Sequence, residues 1–145
     1  MAENANKLPT IIPMIAYEDA AQALDWLTRA FGFHETTRLT ERDGAISHAE
    51  MEFDGGVIML ASPTPAYQSP KHHAAVCEPA RAWSAVPWVI DGLYVRVDDV
   101  VEHFRRAKEA GATILSEPED EPYGERVYRV ADLEGHRWMF AQSVG

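Results

Sequence analysis

The sequence has little of what marks the specialised classes of protein. One cysteine, Cys77, stands among 145 residues, so the chain forms no internal disulfide, which indicates a reducing compartment. No uninterrupted apolar run approaches the length of a membrane span, and residues 1–9 are polar, without the apolar core of a signal peptide. We therefore expect a soluble, cytoplasmic protein with no membrane partner.

Positive charge is also scarce. Lys and Arg number 13 against 23 Asp and Glu, which gives a formal net charge of −10. That balance repels phosphate backbones and argues against nucleic acid as a partner. It is compatible with steering a cationic small molecule, although solubility alone is the simpler explanation.

What the sequence does contain is an internal repeat at an offset of 80 residues. Asp19 precedes one amphipathic stretch and Asp99 precedes another, while Met59-Leu60-Ala61 matches Met139-Phe140-Ala141. Such a repeat indicates two copies of one supersecondary unit. We expect the copies to be related by a pseudo-twofold axis, with the cleft between them as the natural place for a ligand.

Each copy has the pattern of a βαβββ unit. In the first, an apolar run at 11–17 is typical of a buried strand, and a helix follows the N-cap Asp19 and ends at Gly32. Asp54-Gly55 is a strong hairpin signal between the last two strands. The three strands after the helix are predicted at 35–40, 48–53 and 57–62.

The second copy repeats the pattern. A strand at 93–97 is followed by a helix that begins after Asp98-Asp99 and ends at Gly111. Its remaining strands are predicted at 112–115, 126–130 and 137–142, with the acidic run 117–121 as a solvated loop. The prediction is one α+β domain over 1–145, made of module one at 10–62, a proline-rich connector at 63–87 with a short helix at 80–86, and module two at 88–143.

The residues at these turns resemble those of the vicinal oxygen chelate superfamily. They are Tyr17-Glu18-Asp19, Val97-Asp98-Asp99, Ala110-Gly111-Ala112 and the run from Tyr123-Gly124 through Asp132-Leu133-Glu134-Gly135-His136 to Trp138. Its members include glyoxalase I, extradiol dioxygenases, fosfomycin-modifying enzymes and bleomycin-resistance proteins. The resemblance implies two tandem βαβββ modules whose sheets curl around a shared cavity, and it implies a homodimer.

The resemblance also implies a metal site, but its ligands are missing. Members hold a divalent cation with His, Glu or Gln from the first and last strands of each module. The corresponding positions are Ile12, Met59, Gly92 and Met139, and none of these side chains coordinates such a cation. We therefore expect no metal, no cofactor and no catalytic residue of the metal-dependent kind.

Strand alternation predicts which side chains line the cavity, because successive residues point to opposite faces of a sheet. If Ile12 and Gly92 face inward, alternation places two groups of residues on the same inward face. One group supplies apolar or polarisable walls, and the other supplies polar groups that could anchor a ligand. The walls are Met14, Met59, Tyr94 and Met139, and the anchors are His48, Glu50, Arg96 and Arg129. Trp88, just before module two, is a further candidate that could stack on a planar ligand.

Each of these residues also has a purely structural explanation. Methionines often fill core gaps, and Glu50, Arg96 and Arg129 could form ion pairs across the sheet. His48 could be a satisfied structural histidine, and Trp88 could close the junction between the modules. His72-His73 is expected to lie in a solvated loop, and Cys77 lacks the motif of a nucleophile.

The leading interpretation is a metal-independent protein that binds or sequesters an aromatic or antibiotic-like small molecule, in the manner of bleomycin-resistance proteins, and so confers antibiotic resistance. The alternative is a metal-free lyase or isomerase with His48 or Glu50 as base and Arg96 or Arg129 stabilising an oxyanion. A third possibility is an interaction module with a vestigial cavity. Recovery of a bound ligand chemically unchanged would separate the first from the second.

Overall fold

The computed structural model of the chain describes residues 8–86 and 91–145. It divides into two compact units, and each unit holds one four-stranded sheet. Unit 1 runs up to Thr28 and over Gly32–Tyr67, and unit 2 comprises Arg29–Phe31 and Gln68–Gly145. The order of helices and strands confirms the predicted α+β fold with two βαβββ copies.

The first copy has a mixed sheet. Its elements are β1 (Met14–Ala16), α1 (Ala20–Phe31), β2 (His34–Thr40), β3 (Ile46–Phe53) and β4 (Gly56–Ala61). The strand order is β1-β4-β3-β2, with β1 parallel to β4 and the other pairs antiparallel. The prediction of a buried strand at 11–17 is only partly right. Ile15 and Tyr17 are buried, but β1 is a short edge strand and Ile11 and Met14 are 84% and 81% exposed.

The second copy repeats this topology. Its elements are β5 (Gly92–Arg96), α4 (Val100–Glu109), β6 (Thr113–Asp120), β7 (Glu125–Ala131) and β8 (Arg137–Ser143), in the sheet order β5-β8-β7-β6. The acidic run 117–121 was predicted as a loop, but β6 continues to Asp120. Asp120 pairs with Arg126 of β7 and their side chains form an ion pair of 2.6 Å. Pro118 is tolerated because β6 is an edge strand with an irregular register there.

The helix of each copy begins and ends where the sequence predicts. The Asp19 side chain accepts a hydrogen bond of 3.0 Å from the Gln22 amide, and Asp99 does the same for Glu102 at 3.1 Å. Gly32 takes the left-handed conformation (φ 82°) that ends α1, and Gly111 does so (φ 91°) after α4.

The connector contains two short helices, α2 (Pro70–Val76) and α3 (Glu78–Ser84), where the sequence analysis predicted one. His72 and His73 lie in α2, so their assignment to a loop is wrong. Ser69 caps α2 by accepting from the His72 amide. None of the helices in the described ranges is both long and apolar enough to cross a membrane.

One face of each sheet carries a set of buried apolar side chains. Ala49 and Met51 of β3 are fully buried in unit 1. In unit 2 the buried set is Tyr128, Val130, Trp138 and Phe140. This alternation leaves the opposite face of each sheet, here called the open face, for His48 and Glu50 in one unit and Arg129 and Met139 in the other.

A tight turn before β8 fixes the core of unit 2. The buried carboxylate of Asp132 accepts from the amides of Glu134 and His136 at 3.0 Å and from the indole of Trp138 at 3.1 Å. Gly135 has φ 90°, and a Cβ at this residue would lie 2.7 Å from the Lys71 amide nitrogen of α2. The turn therefore requires glycine for both its conformation and its close approach to the connector.

Candidate ligand-binding site

The register of unit 1 aligns four open-face residues across its sheet. Met14 of β1 pairs with Met59 of β4, Met59 pairs with Glu50 of β3, and Glu50 pairs with Thr37 of β2. We call these four residues the open row of unit 1. Three of them, Met14, Met59 and Glu50, are predicted ligand-binding residues, and the register brings them side by side.

Unit 2 carries the equivalent row. Tyr94 of β5 pairs with Met139 of β8, Met139 with Arg129 of β7, and Arg129 with Ser116 of β6. Residue by residue, this open row of unit 2 matches that of unit 1. The charge at the third position is reversed, because an arginine stands where the first row has Glu50.

His48 lies two residues before Glu50 on the same face of β3. Its Nε2 is 2.7 Å from Glu50 Oε2, and the two side chains are 34% and 18% exposed. The distance is that of a charge-assisted hydrogen bond. The histidine and the carboxylate thus form one polar pair beside the two methionines of the row.

A cavity of about 250 Å³ opens on this face of unit 1. Its walls include Met14, Ala16, Met59 and Ala61, with His48 supplying an imidazole. A wider polar groove of about 920 Å³ adjoins it through Ser47, Ala61 and Pro63, which line both. The sequence analysis did not select Ala61, although alternation from Met59 places it on the open face.

In unit 2, Tyr94 and Arg96 converge on the buried carboxylate of Glu125. The Tyr94 hydroxyl lies 3.3 Å from Glu125 Oε1, and an Arg96 nitrogen lies 2.8 Å from the same oxygen. Partial burial, followed by the charge of Glu125, raises the pKa of Tyr94 to about 12. The phenol is therefore neutral and donates its proton to Glu125, a residue that the sequence analysis did not select.

Arg129 is held more loosely. Its terminal nitrogens lie 3.4 Å from Ser116 Oγ and from Glu121 Oε1, and 3.9 Å from Glu119 Oε1. Its Nε is buried and has no hydrogen-bond partner in the described part of the chain. This arginine is only 17% exposed, so its mostly buried charge is balanced by two carboxylates at 3.4 and 3.9 Å rather than by a short ion pair.

The other residues on the open face of unit 2 differ in their surroundings. Arg137 donates to the carbonyl oxygens of Ser84 and Val86 at the end of the connector, and burial lowers the pKa of its guanidinium. Val127 and Ala141 share the open face but are fully buried. Trp88, the remaining predicted ligand contact, lies outside the described residues.

The side chains present do not fit the divalent metal that the resemblance implies. Ile12, Met59 and Met139 offer no nitrogen or carboxylate, and a Cβ at Gly92 would lie 3.1 Å from the Arg137 carbonyl oxygen. Within residues 8–86 and 91–145, no three His, Cys, Asp or Glu side chains come together as a metal site.

Curated relatives cover nearly the whole chain. An uncharacterized protein of Mycobacterium bovis, Mb0911c, is 32% identical over 143 residues, which is 96% of this chain and 86% of that protein. The uncharacterized Mycobacterium tuberculosis protein Rv0887c has the same identity and is covered over 77% of its length.

Solved structures and a family model agree on the fold. The crystal structure of TioX from Micromonospora sp. ML1 is 33% identical, with a TM-score of 0.66 over 94% of this chain and 98% of that one. A glyoxalase/bleomycin resistance protein/dioxygenase from Alicyclobacillus acidocaldarius, 12% identical, has a TM-score of 0.64 over 97% and 93%. The family model matches residues 10–140. The chain belongs to the Glyoxalase/Bleomycin resistance protein/Dioxygenase superfamily, which confirms the resemblance drawn from its turns.

Proposed function

We propose that this protein binds and sequesters a small molecule with an aromatic or other ring-shaped apolar group, and that the cavity of unit 1 accepts this group. The observation that carries the proposal is the cavity itself, walled by Met14 and Met59 and bordered by His48. Apolar walls with a few placed polar groups are typical of small-molecule sites.

The size of the cavity supports a ring rather than a whole large ligand. An apolar cavity of about 150 Å³ already accepts benzene. The cavity of about 250 Å³ therefore has room for a substituted or bicyclic ring. Methionine side chains adapt to flat surfaces and make favourable contacts with aromatic rings, and two of them line the cavity.

The proposal includes polar residues on the open face of each sheet as ligand contacts, taken for each unit by itself. His48 and Glu50 supply hydrogen-bonding groups in unit 1, and Tyr94, Arg96 and Arg129 supply them in unit 2, where Met139 is the soft wall. Trp88 remains a proposed stacking residue. We further propose that the protein is a cytoplasmic homodimer. By analogy with the bleomycin-resistance proteins of the superfamily, it would protect the cell by binding a toxic ligand stoichiometrically.

A cavity-filling substitution tests the proposal. Ala61→Met adds a flexible side chain to the cavity wall, whereas Ala82→Met adds the same side chain to an exposed position of α3. A thermal-shift screen of aromatic antibiotics and metabolites would identify a ligand, since one at 100-fold its Kd stabilises the fold by about 2.7 kcal/mol. We expect Ala61→Met to weaken binding at least tenfold, or about 1.4 kcal/mol. Equal affinity in both variants would contradict the proposal.

The contact between His48 and Glu50 favours a second candidate function, a metal-free proton transfer. When Nε2–H of His48 donates to Glu50, Nδ1 is left as an acceptor and can act as a base. The two functions separate on the fate of the ligand. Binding alone returns the molecule with unchanged mass and no solvent deuterium, whereas the enzyme returns a product or an exchanged proton.

A further inference from the structure

The open row of unit 2 contains an arginine whose charge is not matched at close range. Arg129 is mostly buried, and its nearest acceptors, Ser116 Oγ and Glu121 Oε1, both lie at 3.4 Å. A charge-assisted hydrogen bond has a length of about 2.7–2.9 Å, so both contacts are long. Its Nε is the one buried side-chain nitrogen or oxygen of the described chain that has no partner.

The other arginines of the same sheet do not share this property. Arg96 lies 2.8 Å from Glu125, Arg126 lies 2.6 Å from Asp120, and Arg137 donates to a connector carbonyl at 2.9 Å. Buried charges in proteins are ordinarily paired and hydrogen-bonded, because burial without a partner is costly. Arg129 differs from them in its unpartnered buried Nε and in the long contacts of its terminal nitrogens, which leave hydrogen-bonding capacity for an external anion.

We propose that Arg129 is the anchor for an oxyanion, specifically the carboxylate of a small aromatic molecule, and that Glu121 occupies its place in the free protein. A carboxylate matches the planar fork of a guanidinium with two parallel hydrogen bonds. Ser116, paired with Arg129 across the strands, supplies a hydroxyl that donates a third.

The rest of the row gives the ligand its apolar part. Met139 stands beside Arg129, and Tyr94 stands beside Met139. A ring attached to the carboxylate would lie along these two side chains, with the thioether and the phenol as its surface. This site belongs to unit 2 alone, so the inference does not depend on a ligand entering the cavity of unit 1.

Glu121 makes the inference testable in two directions. The incoming carboxylate replaces the Glu121 carboxylate at Arg129, so the two groups compete. Glu121→Gln removes the competing charge and keeps the shape, and should tighten binding several-fold. Arg129→Met removes the anchor and keeps an unbranched apolar side chain, and should weaken binding roughly tenfold or more.

The neighbouring ion pair provides matched controls. Asp120 lies on β6 and Arg126 on β7, the strands that carry Ser116 and Arg129, and the two form an exposed ion pair of their own. Asp120→Asn and Arg126→Met therefore repeat the two charge changes without touching Arg129. Both should leave binding unchanged, apart from the small effect of net charge.

The probe is benzoate, with benzamide as its neutral counterpart, added to the full-length protein and followed by ¹H–¹⁵N NMR. We expect benzoate to shift the Nε–H signal of Arg129 and the amides of β7 and β8, and benzamide to do so at least tenfold more weakly. If Arg129→Met does not fold, Arg129→Lys takes its place in the test. It keeps the charge but loses the planar fork, and it should bind benzoate with an affinity between those of the wild type and a variant without the charge. Equal binding of benzoate and benzamide, or equal effects of Glu121→Gln and Asp120→Asn, would overturn the proposal.

Discussion

Acid should destabilise this fold through one half-buried histidine of unit 2, His103. His103 Nδ1 lies 2.6 Å from the Tyr128 hydroxyl and Nε2 lies 2.9 Å from the Phe31 carbonyl oxygen. The carbonyl can only accept, so Nε2 carries the proton, and Nδ1 accepts from the tyrosine. Phe140 packs on the ring at a centroid distance of 4.0 Å. Protonation of Nδ1 would replace an acceptor with a donor inside this aromatic cluster.

The magnitude follows from the pKa of His103. Burial, with a smaller contribution from the charge of Arg106, lowers it from 6.5 to about 4, although the hydrogen bond to Phe31 opposes the shift. Between these two values the unfolded chain binds the proton and the folded chain does not, so the free energy of unfolding falls as the pH falls. Each unit of pKa is worth about 1.4 kcal/mol, so the full shift gives about 3 kcal/mol. Because the ring is partly exposed, we expect about 2 kcal/mol.

Urea denaturation at pH 7.5 and pH 4.5 measures this loss, and the variant His103→Gln isolates it. Carboxylates titrate equally in both proteins, so the difference between their pH profiles belongs to the histidine. His34→Gln removes an exposed histidine and serves as the matched control. Parallel profiles for wild type and His103→Gln would show that the histidine does not cause the loss, as would an equal change in the His34→Gln protein.

Three further outcomes follow from the fold and the site. Gly135→Ala should destabilise the protein by about 2–4 kcal/mol in chemical denaturation, because its Cβ would meet the Lys71 amide, whereas Gly124→Ala, also at positive φ but with nothing within 4 Å, should cost only about 1 kcal/mol. Trp138→Ala should cost about 3–5 kcal/mol, since it empties a fully buried site and leaves Asp132 without its indole donor. Elemental analysis of tag-free protein should find no stoichiometric divalent metal, and metal whose removal abolishes ligand binding would contradict this.

Local signals in the sequence were sufficient for much of the fold. Asp19 and Asp99 each satisfy an amide at a helix start, and Gly32 and Gly111 need only their own backbone conformation to end one. Strand alternation likewise depends on neighbours in the chain, and it is why Ala49 and Met51 of β3 are buried while His48 and Glu50 lie on the opposite face. These signals are encoded within a few residues of where they act.

Features that depend on distant partners could not be predicted this way. At the start of helix α2, the Lys71 amide donates a hydrogen bond to the carbonyl oxygen of Glu134, a residue far away in the sequence. The extension of β6 depends on Asp120 meeting Arg126 across the sheet. A local sequence pattern does not determine which carboxylate pairs with a given arginine. The short ion pair of Arg96 and the longer contacts of Arg129 could therefore be identified only in the structure.

If the cavity of unit 1 receives an apolar ring, as we propose, its methionines report on the binding directly. In protein labelled with ¹³C at the methionine methyl groups, Met14 and Met59 line the cavity, whereas Met51 is fully buried in the core of the same unit. Titration with a bicyclic aromatic such as indole should shift the methyl signals of Met14 and Met59 and leave that of Met51 in place. If the Met14 and Met59 signals stay fixed at saturating probe, or move no more than that of Met51, the cavity does not bind the ring, which contradicts the proposed function.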